Sequence, residues 1–278
     1  MEVGNTSINI LKDGTFMVDG GVIFGQLART QWEQFIKPDR RNRIRLGLNA
    51  ILVRTPDVNV LIDTGAGSKR MVELKADYSL NGNKLSKGLK SFGLTARDID
   101  VVVLTNLRFE HSGGCTKLDR TGTAIPMFPK ARYMVQKASW DAANSPNERY
   151  SHSFYQDDFE PLAERDLVHF VNGKDEVIPG VTVKLMEGPS KGNQVVFIEY
   201  GSERIIYAGD LIPTPFHLPV HHIPASAEFP NDTLVQKREL LEMAMGDGWM
   251  IVFGNGNECN AAYVQDRGGV PQLVPVEV

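Results

Sequence analysis

Twice along its 278 residues the chain repeats one order of signals. Two apolar β-branched runs are joined by a turn, a helical stretch comes next, and a short buried run then ends in a polar residue. In the first half Ala50-Ile51-Leu52-Val53 and Val58-Asn59-Val60-Leu61-Ile62 flank Thr55-Pro56-Asp57, and the second run ends in Asp63-Thr64-Gly65. Leu85, Leu89 and Phe92 recur at i, i+4 and i+7, which places them on one helix face, and Gly93 stands where a glycine stops a helix. Thr95 to Asp98 reads as a capped turn, and Val101-Val102-Val103-Leu104 as a strand buried on both faces. In the second half Val195 to Ile198 and Arg204 to Ala208 flank Gly201-Ser202, and Gly209-Asp210 closes the pair. Asn231 or Asp232 is expected to cap a helix that runs to about Met245 and stops at Gly246. Trp249 to Phe253 is the buried strand after it, ending in Gly254-Asn255.

A strand run apolar on both faces must be covered on both, so the repeat predicts an α/β fold of two similar halves. Two sheets pack face to face with helices outside, in one domain over residues 1–278. Polar residues at the carboxyl ends of such strands are where an α/β site is built, so Asp63, Asn106, Asp210 and Asn255 are expected to converge. Outside the repeat, Ile8 to Leu11 and Thr15 to Val18 read as a hairpin about Lys12-Asp13-Gly14, and Gln31 to Arg45 as a polar, basic surface loop.

Thirty Lys and Arg against 34 Asp and Glu give a formal charge of -4, with no basic stripe for a phosphate backbone, so nucleic acid is not an expected partner. No stretch approaches the roughly 18 apolar residues of a membrane span, and the amino terminus lacks the pattern of a secretory signal. A cytoplasmic location is therefore expected, with no membrane partner, and Cys115 and Cys259 are expected to remain reduced.

The run Leu104-Thr105-Asn106-Leu107-Arg108-Phe109-Glu110-His111-Ser112-Gly113-Gly114 resembles the signature of the metallo-β-lactamase superfamily, in which a strand ends in a His-x-His-x-Asp-His loop. Val60 to Gly65, Gly188 to Gln194, Tyr207 to Asp210 and Val252 to Asn255 agree with that family in order and spacing, over about residues 45 to 265. Arg43 to Ile51 and Asp210 to Thr214 resemble its lactonase-like and uncharacterised hydrolase branches. The resemblance implies a four-layer αββα sandwich and, at its edge, two zinc ions that activate a shared water.

Carried over by position, the three histidine slots of the first metal hold Asn106, Arg108 and Pro189. The first is a weak neutral donor, the second a permanent cation, and the third has no donor atom. The second metal's slots hold Glu110, His111, Asp210 and Asn255, and the carboxylate behind the ligands survives as Asp63. Asn193, within the Gly188 to Gln194 mark, is counted with Asp63, Asn106 and Asn255 among the pocket residues.

The resemblance therefore implies no two-zinc centre, but either no metal or one Zn, Fe or Mn ion at Glu110, His111 and Asp210. Family hydrolysis would be absent or much weakened, with the pocket kept for a small-molecule ligand or a partner. The alternative is a mononuclear hydrolase of a lactone, ester or thioester, with Asp210, His111 and Arg108 carrying catalysis and Arg108 stabilising the oxyanion. Arg108 is expected to pair with Asp63, Asp210 or Glu110; a surface position is the other reading. His217, His221 and His222 are expected in a solvated loop, against a rescue of coordination by one of them. Cys115 reads as a small buried residue and Cys259 as a neighbour of the site. The sequence does not give the oligomeric state; that related folds often dimerise leaves a homodimer open by fold-level analogy only.

Overall fold

Alternate residues of the central strands turn to opposite sides, and both sides are apolar, which dictates the layering. The computed structural model describes residues 1–268 and 271–276. The first nine strands are β1 (Glu2–Val3), β2 (Thr6–Asp19), β3 (Arg43–Arg54), β4 (Asn59–Ile62), β5 (Val101–Val103), β6 (Thr116–Leu118), β7 (Ala124–Pro126), β8 (Arg132–Gln136) and β9 (Val168–Val171). The rest are β10 (Lys174–Ile178), β11 (Val181–Leu185), β12 (Gln194–Tyr200), β13 (Glu203–Tyr207), β14 (Met250–Val252), β15 (Ala261–Asp266) and β16 (Pro271–Pro275). Among the described residues one sheet has the order β1-β2-β3-β4-β5-β8-β9, a second runs β10 to β16 in sequence, and β6-β7 is a separate ribbon.

Ile51, Val53, Val60, Ile62, Val101 and Val103 of the first sheet meet Val196, Ile198, Ile205, Tyr207, Met250 and Val252 of the second in one core. Their neighbours in sequence face outward. Leu52, Leu61 and Val102 lie under Leu85 and Leu89 of the helix Leu85–Ser91. Phe197, Ile206 and Ile251 lie under Leu240, Leu241 and Ala244 of the helix Pro230–Asp247. Each fully buried side chain of this kind contributes about 1.5–3 kcal/mol. The result is the four-layer αββα sandwich. Its halves match: β3-β4 is antiparallel and β4-β5 parallel, as β12-β13 is antiparallel and β13-β14 parallel.

Along the chain the structure corrects several details of the sequence reading. Lys12-Asp13-Gly14 is no hairpin turn but a bulge in the continuous strand β2, which pairs with β3 along its length. A Cβ at Gly14 would overlap the Asn81 carbonyl, which accepts the Thr15 amide, so only glycine admits the segment crossing there. Asp13, turned inward by the bulge, accepts the Lys84 and Leu85 amides at 2.9 and 3.0 Å and so caps a helix whose own first residues carry no capping side chain. The predicted surface loop ends earlier than expected, because Arg43 to Arg45 already belong to β3. The second-half helix runs through Gly246 and stops at Gly248, whose φ of 70° accommodates the left-handed cap; at its other end Pro230 occupies the first turn. No helix among the described residues is long and apolar enough to cross a membrane.

The loop after Asp210 is solvated at His221, which is exposed, but not at the other two histidines. His217 is fully buried, with Nε2 2.9 Å from the Ile23 carbonyl and Nδ1 2.8 Å from the Thr214 hydroxyl. A carbonyl only accepts, so Nε2 carries the proton and Nδ1 accepts from Thr214, which is the neutral imidazole. His222 is also buried, against the Phe216 carbonyl, and Lys237 donates to the carbonyls of Pro219 and His222. Burial, with Lys237 nearby, pushes the His217 pKa down to about 3.

That value lies below the unfolded one of about 6.5, so the stability His217 contributes is present above pH 6.5 and lost as pH falls toward 3. Between pH 6.5 and 4.5 we expect the unfolding free energy from denaturant titrations to decline more steeply for the parent than for His217→Gln, by up to about 1.4 kcal/mol per pH unit. Parallel declines in the two proteins would place His217 in water.

Candidate functional site

Four strand ends bring the polar residues together. Asp63 comes directly after β4 with φ of 58°, a left-handed conformation that costs a non-glycine residue about 1 kcal/mol or more. Its carboxylate offsets the strain. It accepts the Thr105 amide at 2.8 Å, the Thr105 hydroxyl at 2.7 Å and His111 Nδ1 at 2.7 Å. After β5 the chain makes one helical turn, Phe109–Ser112, started by Asn106, whose Oδ1 accepts the Arg108 amide at 2.9 Å. Thr64 holds the end of that turn, donating its amide and its hydroxyl to the His111 carbonyl, each at 2.8 Å. A Cβ on Gly113 or Gly114 would overlap the Ala66 or Thr64 carbonyl, which explains the two glycines beside His111.

His111 lies between two carboxylates, with Nδ1 2.7 Å from Asp63 and Nε2 3.0 Å from Asp210. Burial alone would lower its pKa, but Asp210 and Asp63 overrule it and raise the pKa well above the usual value, so the ring is an imidazolium donating to both acids. Burial would likewise raise Asp210. The charge and hydrogen bond of His111, then Arg108 and Asn106, instead hold it down at about 2. Glu110 is pushed up, chiefly by burial, and its Oε2 is sealed without a partner.

Arg108 is 5 % exposed, which settles its placement against the surface reading. Its Nη1 is 3.6 Å from Asp210 Oδ2, while Nη2 donates to the carbonyls of Pro189 at 3.1 Å and Ser226 at 2.9 Å and lies 3.9 Å from Glu228 Oε1. One guanidinium thus ties the 106–111 turn to the 189 and 226–228 loops and to the second sheet's Asp210. Of the partners expected for it, Asp210 is the ion pair found; Asp63 is occupied by His111 and Thr105. Asn106 donates to the same Asp210 oxygen at 3.1 Å. Asn255 donates to the Gly47 carbonyl at 3.1 Å.

Arg108, Glu110, Asp210 and Asn255 line a cavity of about 110 Å³ whose other walls include Phe16 and Leu46. Asp63, Asn106 and His111 are buried behind that lining. Asn193 does not line it: it is buried, and its amide braces the Met186 carbonyl at 3.1 Å. Cys115 is buried 3.5 Å from the Thr64 hydroxyl, with burial pushing its thiol far up, and Cys259 is half-buried, its thiol donating to the Ala261 carbonyl; both are free. Sequence reasoning misses Glu228, Ser226 and Thr64 because none of them occupies a ligand slot. Thr64 alone stands inside one of the family-like motifs.

Among the described residues Glu110, His111 and Asp210 form a group whose ligand atoms lie within 4.8 Å of one another. The unpartnered Glu110 Oε2 suits one cation there. The residues in the other metal's slots are engaged with one another: Arg108 brings a fixed positive charge to Asp210, Asn106 turns its amide nitrogen to the same oxygen, and the Pro189 carbonyl accepts from Arg108. None of His217, His221 and His222 belongs to the group, and both nitrogens of His217 are engaged elsewhere.

The fold is shared with solved structures. A probable metal-dependent hydrolase from Staphylococcus aureus aligns at a TM-score of 0.91 and 24% identity, over 100% of this chain and 99% of that one. AidC, a dizinc quorum-quenching lactonase, aligns at 0.83 and 18%, and the beta-lactamase-superfamily hydrolase AbOPH at 0.84 and 18%, each over 100% of this chain and 97% of its own. At these identities the likeness speaks for the fold alone. The family model of the metallo-beta-lactamase superfamily matches residues 44–255, which contain the duplicated strands, the 106–111 turn, Asp210 and Asn255. By that match this chain belongs to the metallo-beta-lactamase superfamily.

Proposed function

We propose that this chain keeps the family's pocket as a small-molecule site but has exchanged the binuclear metal centre for an arginine-centred charge network. Family hydrolysis is then lost or much weakened. The observation that carries the reading is the Arg108 guanidinium, buried against Asp210 and bonded to the Pro189 carbonyl, so that two of the histidine slots satisfy each other. Three acids crowded at one sheet edge need positive charge to remain ionised. Arg108 and the protonated His111 supply it from the chain itself.

A second reading has its own support in the convergence of Glu110, His111 and Asp210. These residues would hold one divalent ion, Zn, Fe or Mn, and such an ion supplies a polarised carbonyl or an activated water to a lactone, ester or thioester hydrolase. In that reading Asp210 and His111 orient the reacting groups, and Arg108 faces the developing negative charge.

Elemental analysis of protein purified from zinc-supplemented medium should find clearly fewer than two ions per chain. Two tightly held equivalents would overturn the exchange. If one equivalent and turnover are found, His111→Ala and Asp210→Ala should each abolish both; an active, metal-free His111→Ala protein would end the mononuclear reading.

Arg108→Leu takes from Glu228 its cation and leaves Asp210 to the cation of His111 alone, and breaking a buried pair of this kind costs about 3–5 kcal/mol, against about 0–1 kcal/mol for an exposed one. We expect a loss of that larger size at pH 7. Asp210 titrates in the folded parent near 2, below its unfolded value, so its contribution is present above about pH 4 and disappears as pH falls toward 2. The gap between parent and variant should narrow over that interval in a urea series at several pH values. A variant as stable as the parent throughout would show that Arg108 does not replace lost charge.

A further inference from the structure

A larger hollow, of about 500 Å³, opens beside the site and shares Leu46 and Asn255 with the smaller cavity, so the two adjoin across these side chains. Its apolar side is aromatic. Phe35, 51 % exposed, stacks on Phe216 with ring centroids 6.4 Å apart, and Ile36 and Leu273 continue that surface. Single exposed rings such as Phe170 are ordinary, but here these four apolar side chains line one concave surface, which is the form a ligand groove takes.

The opposite character stands at its rim. Lys37 and Arg45 line the hollow, and the side chain of neither makes an ion pair or hydrogen bond with any described residue. The segment from 37 to 45 carries Lys37, Arg40, Arg41, Arg43 and Arg45 against one acid, Asp39, and that acid is consumed by Arg43 at 2.9 Å. A chain of net charge -4 therefore places a local excess of cations beside the approach to its pocket. Glu258 also lines the hollow and pairs with neither cation. A volume of this size suits a drug-sized ligand, and unpaired charge at the mouth of an apolar cleft selects ligands by sign.

We propose that the hollow is the recognition groove for the site's ligand, and that this ligand is an anionic amphiphile. Its apolar body lies over Phe35 and Phe216, and its negative charge, a carboxylate or phosphate, sits between Lys37 and Arg45. The proposal deepens the reading of the pocket as a small-molecule site and rests on it, but it does not depend on how many metal ions the centre holds. Recognition by charge and aromatic surface assigns a class of ligand to residues outside the duplicated repeat.

The test compares anilinonaphthalene sulfonate with phenylnaphthylamine, its uncharged parent, by fluorescence titration of the whole folded chain, once with chelator and once with zinc. The sulfonate should bind the parent protein more tightly than the neutral probe, with a margin that shrinks as salt is raised. Lys37→Glu with Arg45→Glu should weaken the sulfonate by about 5- to 20-fold, as two exposed charge contacts allow, and leave the neutral probe within about 2-fold. Phe35→Ala, at an exposed position, should weaken both probes alike. Cys259 lines the same hollow while Cys115 is buried, so bound sulfonate should also slow alkylation of Cys259. Equal binding of the two probes, an unchanged double variant, or a chain dimer that the Phe35→Ala or charge-reversed protein dissociates would overturn the groove. A chain that holds two metals and still discriminates would refute the exchanged centre and leave the groove standing.

Discussion

The contact on which the site depends is the line of charge Asp63–His111–Asp210, because it crosses from one sheet to the other. Asp63 lies just past β4 in the first sheet, His111 sits on the turn after β5, and Asp210 lies just past β13 in the second sheet. An imidazolium donating to a carboxylate at each end holds the sandwich edge closed at a fixed width. It also explains the left-handed φ of Asp63, a conformation a side chain tolerates only where surrounding bonds overdetermine it. Removing the ring would leave two buried carboxylates facing each other across the sheets, which is why His111 is structural whatever its chemical role.

The duplication shows how the same local geometry is put to different uses. Asn106 stands three residues past the end of β5 and Asn255 three past the end of β14, in equivalent positions of the two halves. Asn106 starts a helical turn and touches Asp210; Asn255 reaches back to the Gly47 carbonyl and walls the cavity. Their shared place at a strand's carboxyl end puts both at the site. The loop that leaves each strand, helical in the first half and a turn bonded to β3 in the second, decides the contact made.

Much of this was legible in the sequence, and the reason is periodicity. Runs such as Val101 to Val103 and Met250 to Val252 lie between two apolar layers, so composition alone marks them, and the polar residues that interrupt them fall at one edge by necessity. The convergence of Asp63, His111 and Asp210 was expected from those strand ends and from the family resemblance. The bulge at Asp13–Gly14 was not legible, since Gly after Asp signals a turn locally and only the crossing of Asn81 makes it a bulge. Nor was the burial of His217, whose flanking prolines and histidines read as solvated until Ile23, 194 residues away, supplies the carbonyl its ring needs. Glu228 and Ser226 entered the site for the same kind of reason: long-range partners leave no local pattern.

Arg108 differs from the metal slot it occupies in a way that bears on chemistry. A guanidinium has five N–H donors in a fixed plane and no acceptor, whereas a metal can exchange ligands during a reaction. Here both Nη2 donations go to backbone carbonyls, of Pro189 and Ser226, and Nη1 is held toward Asp210 at 3.6 Å. Nε is buried with no partner. The arginine's largest service is therefore already rendered to the fold, joining the 106–111 turn to the 189 and 226 loops and to Asp210. What it has left for a substrate is the edge it presents to the cavity it lines, enough to orient a ligand's acceptor oxygen but not to lower the pKa of a water as a divalent ion does. Under the proposed exchange, a permanent cation that cannot be chelated would make the edge of the sandwich independent of metal supply, at the expense of the activated water that a divalent ion supplies.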